Sequence, residues 1–219
     1  MKHINKVDGI ISDVYLMDNM ELMAKYEDNY FDLAVVDPPY GIDVNKMNLG
    51  DSSKRKKKDY KKDGKEWDLE TPSQEYFDEL VRVSKNQIIW GANYMIDKIK
   101  TPSMGWIYWN KKNGTSDFSD GELAFTSFNR ALRSFEYHLS RDRDKRFHPT
   151  QKPVYLYDWI FKNYATEGMK ILDTHLGSQS SRISAHKNKM HFIGCELDPD
   201  YFADGNKRFD NYVSQLKLF

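Results

Sequence analysis

The run LAVV, Leu33–Val36, is apolar at four consecutive positions and stops at an acid followed by two prolines, within FDLAVVDPPYGI. A short apolar run with no polar alternation reads as a strand buried on both faces, the kind found inside a parallel sheet. Pro38 and Pro39 fix φ and bring no N–H, so the chain cannot pair onward past Asp37. The result is a stiff corner. In open α/β sheets ligands sit beyond the carboxyl ends of the strands, so a corner there can hold a carboxylate, a bare carbonyl and the Tyr40 ring towards a ligand. The same residues also suit a proline turn that merely ends a strand.

The rest of the chain keeps the same rhythm of strand and helix. IISDVYLMD reads as strand and turn, MELMAKY as a short helix, and FDLAVV as the next strand. In TPSQEYFDELVRVS, Thr71 suits an N-cap and Pro72 the first helical turn, with Tyr76, Leu80 and Val83 at helical spacing. NQIIWGANY, MGWIYWNK and GELAFTSF read as strands, and SFEYHLSR as a further strand pairing antiparallel with a neighbour. After HPTQKP comes a helix with Leu156, Ile160 and Tyr164 on one face and Gly168 just past its end. MKILDTHLGSQSSRISAHKNK gives strand, loop and helix; the strand in MHFIGCELD again ends in an acid, before a C-terminal helix. With no internal repeat and no long linker, residues 1–219 read as one α/β domain.

Composition narrows the partners. The chain has 33 basic and 33 acidic side chains and no formal net charge, so whole-molecule attraction to nucleic acid or membrane is not implied. The balance is local: KRKKKDYKKDGK, residues 54–65, holds eight basic and two acidic residues, and residues 50–66 read as a mobile basic loop. The one cysteine, Cys195, lies in an apolar run and fits a packing role in a reducing compartment. No apolar run approaches the roughly 18 residues of a membrane span, and MKHINKVDG lacks the apolar core of a signal peptide, so a cytoplasmic protein is expected.

A second constellation lies in ILDTHLGSQSS followed by FIGCELD. Gly177 opens the expected helix after a strand, and Glu196 ends the next strand 19 residues on, near the spacing at which an acid meets a ribose in nucleoside-binding βαβ units. Such a carboxylate can accept hydrogen bonds from both ribose hydroxyls. G-x-G-x-x-G is absent, which disfavours a pyrophosphate and suits a nucleoside carried without phosphates, such as S-adenosylmethionine. Gly177 as a simple turn and Glu196 as a simple strand end are the plainer alternative.

Taken together, DPPYG (Asp37–Gly41), HPTQKP (His148–Pro153) and DTHLGS (Asp173–Ser178) resemble, in order and spacing, the DNA amino-methyltransferases of the permuted β group, adenine-N6 type, of the small phage-like kind. The likeness runs from about Asp13 to Phe209. It implies a Rossmann-like methyltransferase sheet, mostly parallel with an antiparallel edge hairpin, helices on both faces and circularly permuted order. It implies transfer of a methyl group from S-adenosylmethionine, leaving S-adenosylhomocysteine, to a flipped-out adenine in DNA, with no metal. Asp37 and the Pro38 carbonyl would accept the two N–H bonds of the target amine, Pro39 would hold the corner rigid, and Tyr40 would stack on the base. Glu196 would hold the cofactor ribose. Asp173, Thr174, His175, Gly177 and Ser178 would surround its methionine part. His148, Thr150, Gln151, Lys152 and Pro153 would close on it, with Lys152 near its carboxylate. Asp18 holds the family-like place for the cofactor's adenine amine, and equally suits an exposed turn.

The chain departs from that pattern at Thr174 and His175, where the family commonly has Pro-Phe, and at Gln179, where it has a second glycine. A bulky Gln179 either narrows the cofactor pocket or faces solvent; His175 either stacks where the phenylalanine would or is a polar turn residue. Residues 110–147, with Arg130, Arg133, Arg141, Arg143, Lys145 and Arg146, form a short candidate DNA-contact region, which implies weak sequence specificity or specificity completed by a second subunit in a homodimer. N4-cytosine in DNA, RNA adenine, a protein amide, or a non-catalytic nucleic-acid-binding role are the competing readings.

Overall fold

The computed structural model describes residues 1–7, 9–42, 68–113, 119–138 and 150–216. Among them lies one sheet of nine strands. In chain order these are β1 (Lys2–Val7), β2 (Ile10–Leu16), β3 (Leu33–Val36), β4 (Gln87–Trp90), β5 (Trp106–Asn110), β6 (Gly121–Thr126), β7 (Arg133–Glu136), β8 (Lys170–Asp173) and β9 (His191–Glu196). Their spatial order is β1-β2-β9-β8-β3-β4-β6-β5-β7. The five central strands β2, β9, β8, β3 and β4 run parallel, while β1 pairs antiparallel with β2, and β6 with both β4 and β5. This is the expected mostly parallel sheet with antiparallel edges.

β3 explains the arrangement from its own residues. Leu33 and Val35 pack on one face with Trp90, Ile107, Leu156, Ile160 and Phe192, whereas Ala34 and Val36 pack on the other with Leu22, Phe77, Leu80 and Val83. All four are buried to 1% exposure or less. The first layer is closed by α3 (Val154–Tyr164) and α4 (Ser180–Lys187), the second by α1 (Asn19–Met23) and α2 (Gln74–Val83). α5 (Pro199–Leu216) packs on α4 through Phe209 and Val213 against Ile183. The expected face of α3 is the buried one: Leu156, Ile160 and Tyr164 are all inside.

Two expectations are corrected and one strand is added. β7 pairs parallel with β5, not antiparallel, because β6 is already flanked by β4 and β5; the chain leaving β6 must cross to the far side of β5 and arrives running the same way. α2 begins two residues later than Thr71 suggests, with Ser73 as its N-cap residue, and Thr71 instead accepts a hydrogen bond from Lys98 at 2.5 Å. β1 has no counterpart among the expected strands; it is an exposed edge strand, so the alternation that marks a half-buried strand is weak. The basic loop, residues 50–66, lies outside the described residues, as do His148, Arg141, Arg143, Lys145 and Arg146. The strands β6 and β7 fall inside the candidate DNA-contact interval. No helix among the described residues is long and apolar enough to cross a membrane.

Candidate active site

Three adjacent parallel strands, β9, β8 and β3, each end in an acid: Glu196 closes β9, Asp173 closes β8, and Asp37 follows β3 directly. Parallel pairing with Asp173 opposite Gly194 and Leu172 opposite Ala34 puts all three carboxylates at one edge of the sheet. They sense one another electrostatically: Asp37 and Glu196 both raise the proton affinity of Asp173. The sheet order therefore brings together what the sequence holds far apart.

The corner at Asp37 is held from several sides. The amides of Tyr40 and Gly41 donate to Asp68 Oδ1 at 2.7 and 3.1 Å, so a buried carboxylate satisfies backbone donors that the turn leaves without a strand partner. The Tyr40 ring lies against the backbone of Gly91, where a Cβ would fall 2.1 Å from Cε1, and stacks on Tyr94 with centroids 5.2 Å apart. Gly91 follows β4 at φ +66°, and its bare backbone makes room for the ring. A cleft of about 520 Å³ opens beside the corner, lined by Tyr40, Gly41, Ile42, Leu69, Thr71 and Tyr94 among others.

Asp37 Oδ1 accepts hydrogen bonds from the Tyr40 hydroxyl at 2.8 Å and Lys152 Nζ at 2.5 Å; Oδ2 accepts none from the described residues. Lys152, 4% exposed, also meets Glu122 Oε2 at 3.0 Å, and Lys111 meets Glu122 Oε1 at 2.5 Å. The loop before α3 brings Lys152 over Trp90 and Tyr40, at the Asp37 corner. Burial pulls its pKa down, but Asp37 and Glu122 outweigh that and hold it above the usual lysine value. Burial also pushes Glu122 up, yet Lys152 and Lys111 together bring it down to about 2. For Asp37 burial wins over Lys152, with Glu122 adding to it, and the pKa is raised.

At the other acids, Asp173 is 2% exposed and accepts from the Ser181 hydroxyl at 2.5 Å and the His175 amide at 3.0 Å. Burial pushes its pKa up to about 7. Glu196 accepts the Gly177 amide on Oε2 at 2.8 Å and the amides of Leu197 and Asp198 on Oε1, both at 3.0 Å. A carboxylate has roughly four acceptor positions, and three are taken. Among the described residues one acceptor position is left. Asp18 caps α1, with Oδ1 accepting from Met20 and Glu21.

The glycine loop resolves the departures. Gly177, at φ +44°, lies three residues before α4 instead of opening it; the residue before the helix is Gln179, itself left-handed at φ +58°. Its side chain neither narrows the edge of the sheet nor faces water. It is fully buried, accepts from Arg182 and donates to Asn206, both at 2.9 Å, and lies against Gly205 of α5. His175 is also fixed: Nε2 accepts from the Asn19 amide at 3.2 Å, Nδ1 meets Thr174 Oγ1 at 3.0 Å, and the ring stands edge-on to Tyr76. Burial takes its pKa down to about 4, so it is neutral. Thr174 Oγ1 reaches the Tyr76 hydroxyl at 2.8 Å, and the Ser178 carbonyl accepts from Arg208. Gln151 and Pro153 are buried beside Lys152, Pro153 as the residue preceding α3, and Thr150 is half-buried. Glu122, Lys111, Asp68 and Tyr94 escape sequence reasoning, since a single charge in a strand or loop carries no spacing signal.

A mostly parallel sheet gathering three acids, one of them buried, and a proline-stiffened corner at its carboxyl edge is an α/β methyltransferase fold. The chain belongs to the N6/N4 DNA methylase family, whose pattern it matches over residues 97–207. It is 36% identical over 63 residues to the type II methyltransferase M2.DpnII of Streptococcus pneumoniae; that stretch spans 29% of this chain and 24% of the relative. It is 24% identical to the type II methyltransferase M.HpaI of Haemophilus parainfluenzae over 88% of this chain and 72% of that one. In fold it is similar to M1.HpyAVI, solved as a complex with SAM: TM-score 0.59, 19% identity, 89% of this chain and 97% of that one covered.

Proposed function

We propose that this chain is a DNA adenine-N6 methyltransferase of the permuted β-group order, acting in the cytoplasm and taking its methyl group from S-adenosylmethionine. The observation that carries the reading is the gathering of Asp37, Asp173 and Glu196 at the ends of three neighbouring parallel strands. The cofactor fits this donor set. It is a cation, and Asp173 is a buried carboxyl whose partners among the described residues are a hydroxyl and an amide, neither of them charged. Asp173 would face the ammonium or sulfonium, and Glu196 would take a ribose hydroxyl on its remaining acceptor position. That M1.HpyAVI, similar in fold, was solved as a complex with SAM supports the choice of cofactor.

When bound, S-adenosylmethionine supplies an electrophilic methyl group on sulfur. The chain's task is to sharpen the nucleophile, an exocyclic amine whose lone pair is delocalised into the base. Asp37 Oδ2 and the Pro38 carbonyl accept its two N–H bonds, which favours a pyramidal nitrogen with the lone pair free. The methyl group would pass to that pair with the C–S electrons left on sulfur, and Asp37 would take the surplus proton from nitrogen. The base, rotated out of the duplex, would approach Asp37 from the side of the cleft that Tyr40 and Tyr94 line. Because the prolines and the Asp68 clamp fix the acceptors beforehand, little reorganisation accompanies the reaction.

The family's name covers both N6 and N4 amines, and the same acceptor pair serves cytosine N4. Labelled cofactor incubated with DNA of varied sequence, followed by digestion, is expected to give N6-methyladenine; N4-methylcytosine would overturn the base assignment. RNA and protein run alongside should stay unlabelled. Asp37→Ala is expected to cut turnover by at least about 100-fold, the scale for losing one fixed electrostatic partner, while leaving cofactor binding largely intact. Unchanged turnover would remove Asp37 from its role.

A further inference from the structure

The cluster around Asp37 contains a second carboxylate that the reaction above does not use. Glu122 arrives from β6, which runs antiparallel to β4, so its starting end reaches the edge where β3 and β4 finish. There it holds Lys111 on Oε1 and Lys152 on Oε2, and lies 3.3 Å from the Tyr40 hydroxyl. Lys152, itself buried, is thus suspended between two carboxylates that are 20% and 21% exposed. A buried ammonium given only Asp37 would gain most by closing on both of its oxygens, since Coulomb attraction strengthens as water is excluded. Drawn from the other side by Glu122, it touches Oδ1 alone, beside the Tyr40 hydroxyl.

Resting on the methyltransferase reading, we propose that Glu122 is a positioning residue for methyl transfer: by holding Lys152 at Oδ1 it reserves Oδ2 of Asp37 for the target amine. It has a second effect. Two ammonium groups and two carboxylates make a neutral cluster, so when Asp37 takes the surplus proton from the methylated nitrogen, Lys152 still has a counter-charge in Glu122. The groups facing Asp37 are Tyr40 on its own loop, Lys152 and Tyr157 from the α3 region, Glu122 and behind it Lys111 from β6 and the end of β5, and Asp173 from β8. Removing the charge of Glu122 withdraws a repulsion, so Asp37 should release its proton at lower pH.

The test compares wild type with Glu122→Gln and Glu122→Asp in three measurements: cofactor affinity by calorimetry, kcat against pH on DNA, and the carboxyl titration of Asp37 by carbon NMR in the unliganded protein. For Glu122→Gln the expected result is an unchanged cofactor Kd and a kcat lower by about tenfold, mid-range for coupled residues in one network. The Asp37 titration and the acidic limb of the kcat profile should move together to lower pH. Glu122→Asp keeps the charge and should recover part of the rate with a titration close to wild type; it carries the test alone if the glutamine variant does not fold. Wild-type kcat in Glu122→Gln, or a rate loss with the Asp37 titration unmoved, overturns the inference. A wild-type protein that transfers no methyl group in the same assay removes the methyltransferase reading, and this inference with it.

Discussion

Asp173 shows how one buried group sets a pH dependence. Burial raises its pKa from 3.8 to about 7, with the Ser181 hydroxyl and the His175 amide offsetting part of that and the neighbouring acids adding to it. Since the folded value exceeds the unfolded one, the fold favours the protonated form. The stability this contributes is fully present below about pH 4 and is lost as pH rises through about 7. A cationic ligand has the opposite preference and favours the carboxylate. Cofactor affinity is therefore expected to strengthen from about pH 6 to about pH 8, either side of that value, with proton release visible as a buffer-dependent enthalpy in calorimetry. A flat profile would separate Asp173 from the cofactor. Gln179 makes a different case. Gln179→Gly relieves a left-handed residue, worth about 1 kcal/mol, but forfeits two buried hydrogen bonds worth about 1–3 kcal/mol in all. Modest destabilisation in denaturant with unchanged cofactor Kd is expected, because the side chain faces α5 and not the sheet edge.

At the scale of elements, the β3 corner is shaped by its neighbour β4. Gly91 leaves the room in which the Tyr40 ring lies, and any side chain there would occupy the same space. Gly91→Ala is expected to displace the ring, lower stability by about 1–3 kcal/mol through overpacking, and reduce turnover far more than cofactor affinity. Kinetics that lose only cofactor affinity would place the effect elsewhere. In the same core layer Leu80 of α2 is fully buried beside Ala34 and Val36. Leu80→Ala should cost about 2–5 kcal/mol as a core cavity, read as a lowered denaturation midpoint with the activity of the folded fraction retained.

At the scale of the whole molecule, zero net charge means that DNA must be held by local basic groups, not by the field of the protein. Replacing Lys56, Lys57 and Lys58 by glutamine is expected to weaken DNA binding without altering cofactor affinity. The salt slope should flatten by up to about 0.9 for each phosphate no longer neutralised. An unchanged slope would show that those lysines do not meet the DNA backbone. The charge cluster at the corner belongs to this scale too, because it joins residues from four separate parts of the chain: Asp37, Lys111, Glu122 and Lys152.

What depends on near neighbours is legible in the residues alone: the double-faced burial of Leu33–Val36, the stop at Asp37, the apolar stripe of α3 and the acid at the end of the strand that closes with Glu196. These follow from strand and helix periods and from proline's missing N–H, which act over a few residues. That Lys152 meets Asp37, 115 positions away, and that Glu122 stands behind both emerges once the strands are packed together. The same packing turns Gln179 into the α4–α5 contact and sets β7 parallel to β5. The physical reason is that side-chain partners across a sheet are set by which strands become neighbours, and strand order is fixed by packing both faces at once, which no local spacing encodes.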